Sequence, residues 1–201
     1  MSPVARAQGV VTLDTRGQMA AAPRGPVLVC DPVAQARQPL VHFTLSVADP
    51  SNLAAGQPFE YELLLTNAGL EDLLLPRSLT ATAIHAAGKG KAQYQTATVN
   101  FEVVGEQDSP SQFGAGLAFY GLTADPSNIL RLQSGDSVRI IGNATLPAKA
   151  PAGKARLGAS YTLTAGGLDA SGKPRCSGKD KSIAWTAFTQ NSIGIVVQGR
   201  K

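Results

Sequence analysis

Few side chains in this sequence are suited to catalysis or metal binding. The 201 residues include only two histidines, His42 and His85, and two cysteines, Cys30 and Cys176. A histidine can act as general base for a serine nucleophile, yet the chain lacks a Gly-x-Ser-x-Gly turn to present such a serine. Zinc sites need closely spaced ligands, and these four residues are scattered. We therefore expect a protein that is not an enzyme and that has no cofactor or bound metal.

The two cysteines bear on the compartment in which the chain works. A disulfide between Cys30 and Cys176 would close a long loop and restrict the unfolded chain by roughly 5 kcal/mol on the chain-entropy model. Such a bond suits an oxidising compartment. The alternative is two unpaired cysteines, one of them buried. The tripeptide Ala5-Arg6-Ala7 resembles the small-x-small pattern before a signal-cleavage site. We expect a periplasmic or extracellular protein.

A basic cluster near the carboxyl end is a candidate binding surface. It consists of Lys173, Arg175, Lys179 and Lys181, with Asp180 as the only acid among them. Basic clusters attract phosphates, anionic glycans or acidic protein surfaces. Apart from Trp185, at a predicted core position, no nearby aromatic side chain could stack on a nucleic-acid base. We therefore expect no nucleic-acid partner, and an ordinary hairpin loop is the alternative interpretation of the cluster.

The segment from Glu106 to Gly116 is a second candidate. It is long and polar, has few apolar anchors, and contains Asp108 and Pro110. We expect an exposed, mobile loop here. A loop of this kind can occupy the active site of a protease, so Asp108 and Pro110 are candidate binding-loop residues.

From residue 40 onward, apolar and polar residues alternate in many segments, which is the pattern of β-strands with one face in a core. The clearest segments are Val41 to Val47, Phe59 to Thr66, Ala97 to Val103 and Ile193 to Val197. Gly56, Gly135 and Gly153 each precede such a strand, and glycine can adopt backbone angles closed to other residues. The pattern predicts an all-β antiparallel sandwich of nine to eleven strands, without helix. It covers residues 40–201, after a leader, 1–39, with short edge strands.

The sequence Asp-Pro-Ser-Asn occurs twice, at Asp49 to Asn52 and at Asp125 to Asn128. Either two sandwiches stand in tandem, or one sandwich uses the same turn twice. The next glycine, Gly56 or Gly135, follows at a different spacing in the two copies. This difference favours one domain.

Charge is distributed unevenly along the chain, whose formal net charge is +4. Acids outnumber bases in residues 41–125, and bases outnumber acids in residues 126–201. Because early and late strands interleave in a sandwich, these charges can neutralise each other within one domain. The alternative is a bipolar surface that favours contact with another copy or a charged partner.

Three features resemble bacterial immunoglobulin-like domains. They are the glycine-led strand ending in Thr66-Asn67, the run Leu132 to Val138, and Pro151-Ala152-Gly153 before a tyrosine-bearing strand. Adhesion modules and the intracellular proteinase inhibitor type are similar in layout, over roughly residues 40–190. The resemblance implies an immunoglobulin-like β-sandwich fold and no particular activity. Antibody domains have a core tryptophan on an early strand and a cysteine pair that joins the two sheets. Here Trp185 lies late in the chain and Cys30 precedes the core strands, so the sequence does not match the antibody domains. The resemblance therefore assigns no functional residue.

The expected function is that of a non-enzymatic exported module, structural or protein-binding, in a cell-surface or periplasmic assembly. The partner is another protein or a second copy of the chain, and the amino-terminal segment packs along a sheet edge, its own or a neighbour's. Strand addition to an open edge is a common recognition mode. No apolar run approaches the roughly 20 residues that span a bilayer. The alternative function is protease inhibition through an exposed loop.

Overall fold

The computed structural model describes residues 9–17, 34–35, 38–79, 93–106, 110–122, 125–167 and 183–198. This part of the chain contains thirteen β-strands and a short 3-10 turn, Pro126–Asn128. The strands are β1 (Val10–Asp14), β2 (Ala34–Gln35), β3 (Val41–Val47), β4 (Leu53–Ala54), β5 (Pro58–Asn67), β6 (Leu73–Pro76), β7 (Gln93–Gly105), β8 (Ser111–Leu122), β9 (Ile129–Leu132), β10 (Ser137–Thr145), β11 (Gly153–Gly167), β12 (Ile183–Phe188) and β13 (Ile193–Gln198).

The strands form two main sheets and one short ribbon. In the smaller sheet the order is β1-β10-β5-β3, with β1 parallel to β10 and the other pairs antiparallel. In the larger sheet β8, β7 and β11 are antiparallel neighbours, and the far side of the long β11 pairs with β12 and then β13. The two-residue strands β2 and β4 extend this sheet in parallel with β12 and β13. Strands β6 and β9 form the ribbon.

The inward side chains of the two sheets meet in one hydrophobic core. Burial alternates along β5 and β10, as expected for strands with one face covered. Aromatic rings join the layers edge to face: Tyr61 and Phe101 have centroids 4.9 Å apart, and Phe43 and Tyr161 are 6.4 Å apart. Each such pair adds roughly 0.5–1.5 kcal/mol beyond its buried area. The core therefore fixes both sheets relative to each other.

The all-β class and the sandwich-like architecture predicted from alternation are confirmed. Gly56, Gly135 and Gly153 have φ angles of 77°, 84° and 98°, so the glycines that precede strands adopt a conformation that L side chains rarely take. The described residues form thirteen strands, whereas the sequence pattern predicted nine to eleven. The added strands include the two-residue β2 and β4, which are too short for a sequence period to be visible.

Strands on both sides of the second Asp-Pro-Ser-Asn copy belong to one sheet, because β10 pairs with β5 and β5 with β3. The two copies form similar turns. The Ser51 hydroxyl donates to the Asp49 carboxylate at 2.9 Å, and the Ser127 hydroxyl donates to Asp125 at 2.6 Å. Among the described residues no helix has the length and apolarity needed to cross a membrane.

Candidate functional site

Most residues that the sequence singled out lie outside the described part of the chain. These are Cys30, His85, Asp108, Lys173, Arg175, Cys176, Lys179 and Lys181. The disulfide, the basic cluster and half of the candidate loop therefore stay predictions. Pro110 is exposed and directly precedes β8. His42 is exposed on β3, with its Nδ1 atom 3.1 Å from Oε1 of Gln190.

The expected long loop from Glu106 to Gly116 is wrong in its extent. Residues 111–116 belong to β8, where Ser111 pairs with Val103 and Phe113 pairs with Phe101. The Phe113 ring stacks on Phe101 at a centroid distance of 5.5 Å, which anchors this half of the strand. The strand β7 ends at Gly105 and β8 begins at Ser111, whereas residues 107–109, which include Asp108, lie outside the described part of the chain. The protease-inhibitor alternative stays a prediction.

The edge of the smaller sheet at β3 is closed by the segment between β12 and β13. The Asn191 side chain accepts a hydrogen bond from the Leu45 N–H at 3.0 Å and donates one to the Leu45 carbonyl at 2.8 Å. The Gln190 N–H donates to the Phe43 carbonyl at 2.8 Å. These bonds satisfy main-chain groups that would otherwise be available to a further strand.

The opposite edge of the same sheet is β1, which is held firmly at both ends. The Gly9 N–H donates to the Asp136 carboxylate at 2.9 Å, and the Gly9 carbonyl accepts from Ser137. At the other end the Thr15 N–H and hydroxyl both donate to the Ile141 carbonyl at 2.8 Å. The strand is thus an integral part of the sheet.

The outer side of β1 has no strand partner within the described ranges. Gly9 and Thr15 direct their main-chain groups toward β10. Along a strand of a parallel pair, the N–H and C=O groups of successive residues point alternately toward the partner and away from it. The N–H and C=O groups of Val10, Thr12 and Asp14 therefore point away from β10. Val10 is 55% exposed and Val11 is 38% exposed. The strand contains neither lysine nor proline, the residues that often protect sheet edges.

The outer face of the smaller sheet, near the end of β1, carries paired charges. Arg16 contacts Asp14 at 2.6 Å and Glu60 at 3.2 Å, and Arg139 contacts Glu62 at 3.3 Å. The side-chain hydrogen bond from Arg16 lowers the pKa of Asp14 to about 2. Exposed pairs of this kind contribute little to stability, because water screens their attraction. They orient side chains on the face more than they stabilise the fold.

The outer face of the larger sheet contains a groove of about 290 Å³. Its floor lies at Gly158 of β11, which pairs with Glu102 of β7, and Glu102 in turn pairs with Gln112 of β8. The next row across the sheet includes Asn100 and Phe188. Phe188 is 70% exposed, so an aromatic ring stands beside the depression and its polar side chains.

Sequence reasoning missed this groove, because it depends on which residues of four strands share a row. One signal was available in the sequence. Trp185 and Ala187 take the inward positions of β12, which places Phe188 on the outward face directly before the polar run Thr189-Gln190-Asn191-Ser192.

Comparisons with known proteins show low similarity. The sequence matches no known family model, and no curated protein is significantly similar to it. Among solved structures, the sporulation control protein Spo0M of Bacillus subtilis has a TM-score of 0.34 at 11% identity, over 80% of this chain and 50% of its own. A protein of Bordetella pertussis assigned as ApaA has a TM-score of 0.33 at 12% identity, over 84% of this chain and 99% of its own. A CARDB domain of Pyrococcus furiosus has a TM-score of 0.27 at 10% identity, over 83% of this chain and 100% of its own. The chain spans half the length of Spo0M.

Proposed function

We propose that this chain is a non-enzymatic, exported β-sandwich module that associates with a second copy of itself through the outer edge of β1. The observation that carries the proposal is the contrast between the inner side of β1, which is held by β10, and its outer side, which has no strand partner among the described residues. Gly9 and Thr15 fix β1 to β10, while Val10, Thr12 and Asp14 direct hydrogen-bonding groups outward.

A second copy is the simplest partner for such an edge. Two β1 strands related by a two-fold axis can pair antiparallel, because an isologous contact uses the same surface on both copies. The exposed Val10 and Val11 side chains would then lose water at the new junction. Main-chain hydrogen bonds supply the register, and the two smaller sheets join into one continuous sheet.

Sedimentation velocity over a range of protein concentration tests the association. We expect dimers in the wild-type protein and monomers in Thr12→Pro, because proline removes an N–H that points outward and contributes nothing to the β10 ladder. Thr12→Val keeps this N–H and is the matched control, expected to dimerise. Thermal melting checks that both variants fold. A wild-type chain that stays monomeric at every concentration, or a Thr12→Pro chain that dimerises normally, contradicts the proposal.

Export is supported by the cysteine pair and by the Ala5-Arg6-Ala7 pattern. We expect Cys30 and Cys176 to be joined in protein prepared without reductant, since an oxidising compartment allows that bond to form. Intact mass after alkylation, with and without prior reduction, measures this. Alkylation of both thiols in the unreduced protein would argue against export.

A further inference from the structure

We propose that the groove on the outer face of the larger sheet binds a neutral glycan. The inference goes beyond the proposed self-association, because the groove lies on the other sheet and shares no residue with β1. It rests on three properties of the groove: its shape, its polar groups and its exposed aromatic ring.

The groove is a shallow depression in the sheet surface. Its volume of about 290 Å³ lies just below the range for ligand pockets, roughly 300–1,000 Å³. Gly158 lacks a side chain, while its cross-strand neighbour Glu102 and the flanking Asn100 and Arg156 rise around it. The depression forms because a residue without a side chain lies among longer side chains on a regular sheet. No rearrangement of the sheet is needed to form it.

The polar groups of the groove are available. Within the described part of the chain, the side chains of Asn100, Glu102, Gln112 and Arg156 make no hydrogen bond or ion pair. The two amides each offer donors and an acceptor, the carboxylate only accepts, and the guanidinium only donates. One negative and one positive charge leave the lining without net charge.

The ring of Phe188 supplies an apolar surface beside these groups. An exposed aromatic face packs against aliphatic C–H groups through area burial. A sugar ring presents such C–H groups on one face and hydroxyls, each both donor and acceptor, around its rim. The combination matches the groove, whereas a phosphate-rich or nucleic-acid ligand would need an excess of cations. A lipid chain would leave the charged side chains of Glu102 and Arg156, which line the groove, without polar partners.

Isothermal titration with soluble cellohexaose, maltohexaose, xylohexaose and chitohexaose tests the proposal on the whole chain. We expect at least one oligosaccharide to bind and Phe188→Ala to weaken its affinity by about tenfold or more, as truncating a central aromatic contact does. Phe188→Trp should keep the affinity within about threefold, because the indole retains an apolar face. Leu70→Ala removes an exposed apolar side chain outside the groove and should change nothing.

Backbone amide shifts in NMR spectra locate the binding. With bound oligosaccharide we expect shifts at residues 100–102, 156–160 and 188–192. Three results overturn the proposal: no oligosaccharide binds at millimolar concentration, binding survives Phe188→Ala unchanged, or the shifts lie elsewhere. A neutral Ser-Gly hexapeptide is titrated as the comparison ligand. Tighter binding of this peptide than of any oligosaccharide would also overturn the proposal.

Discussion

The two edges of the smaller sheet differ in whether their outward main-chain groups have hydrogen-bond partners. At β3, Asn191 and Gln190 occupy main-chain groups of Leu45 and Phe43. At β1, the outward groups of Val10, Thr12 and Asp14 have no strand beside them in the ranges that the structure describes. The Asn191 amide and the Gln190 N–H together occupy the β3 edge, whereas no described residue does the same at β1.

The largest expected effect concerns the anchor of β1. A Cβ atom at Gly142 would lie 2.6 Å from the Tyr61 hydroxyl and 2.7 Å from the Thr15 hydroxyl, both in buried residues. We expect Gly142→Ala to lower the free energy of unfolding by about 1–3 kcal/mol through overpacking, and to loosen the end of β1. Urea unfolding measures the change. Gly194→Ala is the matched control on β13, where a Cβ meets nothing within 4 Å; equal losses in both variants would refute the account of Gly142.

Opening the closed edge should have the next largest effect. Asn191→Ala removes the two hydrogen bonds to Leu45, and we expect a loss of about 1–2 kcal/mol in the free energy of unfolding. We also expect new concentration-dependent association, because β3 then presents free main-chain groups. Calorimetry and sedimentation measure the two effects. Ser192→Ala is the neighbouring control. An Asn191→Ala protein that is as stable as this control and that forms no species larger than the control's would show that the amide does not close the edge.

The smallest expected effect is the pH dependence contributed by Asp14. Its pKa is about 2 in the folded chain and about 3.9 in an unfolded one, so the carboxylate stabilises the fold above pH 4. This contribution is lost as the pH falls from about 4 through 2. Asp14→Asn should remove that part of the acid dependence in urea titrations. Identical pH profiles for the variant and the wild type would rule out the Arg16 pairing in solution.

Local patterns predicted much of the fold. Alternation located β3, β5 and β13, since each has one covered face, and the strand-leading glycines were predicted from turn chemistry. The first half of β8 was missed although Phe113, Ala115 and Leu117 alternate with Gln112, Gly114 and Gly116. Two glycines and a small alanine have low strand propensity, so the segment has the composition of a loop. Neither the closed edge nor the groove was predictable. The contact of Asn191 with Leu45 joins distant segments, and the groove needs the register of four strands.

Hydrogen exchange of the β1 amides, followed as a function of protein concentration, tests the central claim most directly. The amides of Val11 and Leu13 face β10 and should be protected at every concentration. Those of Val10 and Thr12 face outward, and we expect them to exchange freely in dilute solution and to become protected as the chain associates. Protection of Val10 and Thr12 that does not change with concentration would contradict the claim that this edge joins two copies.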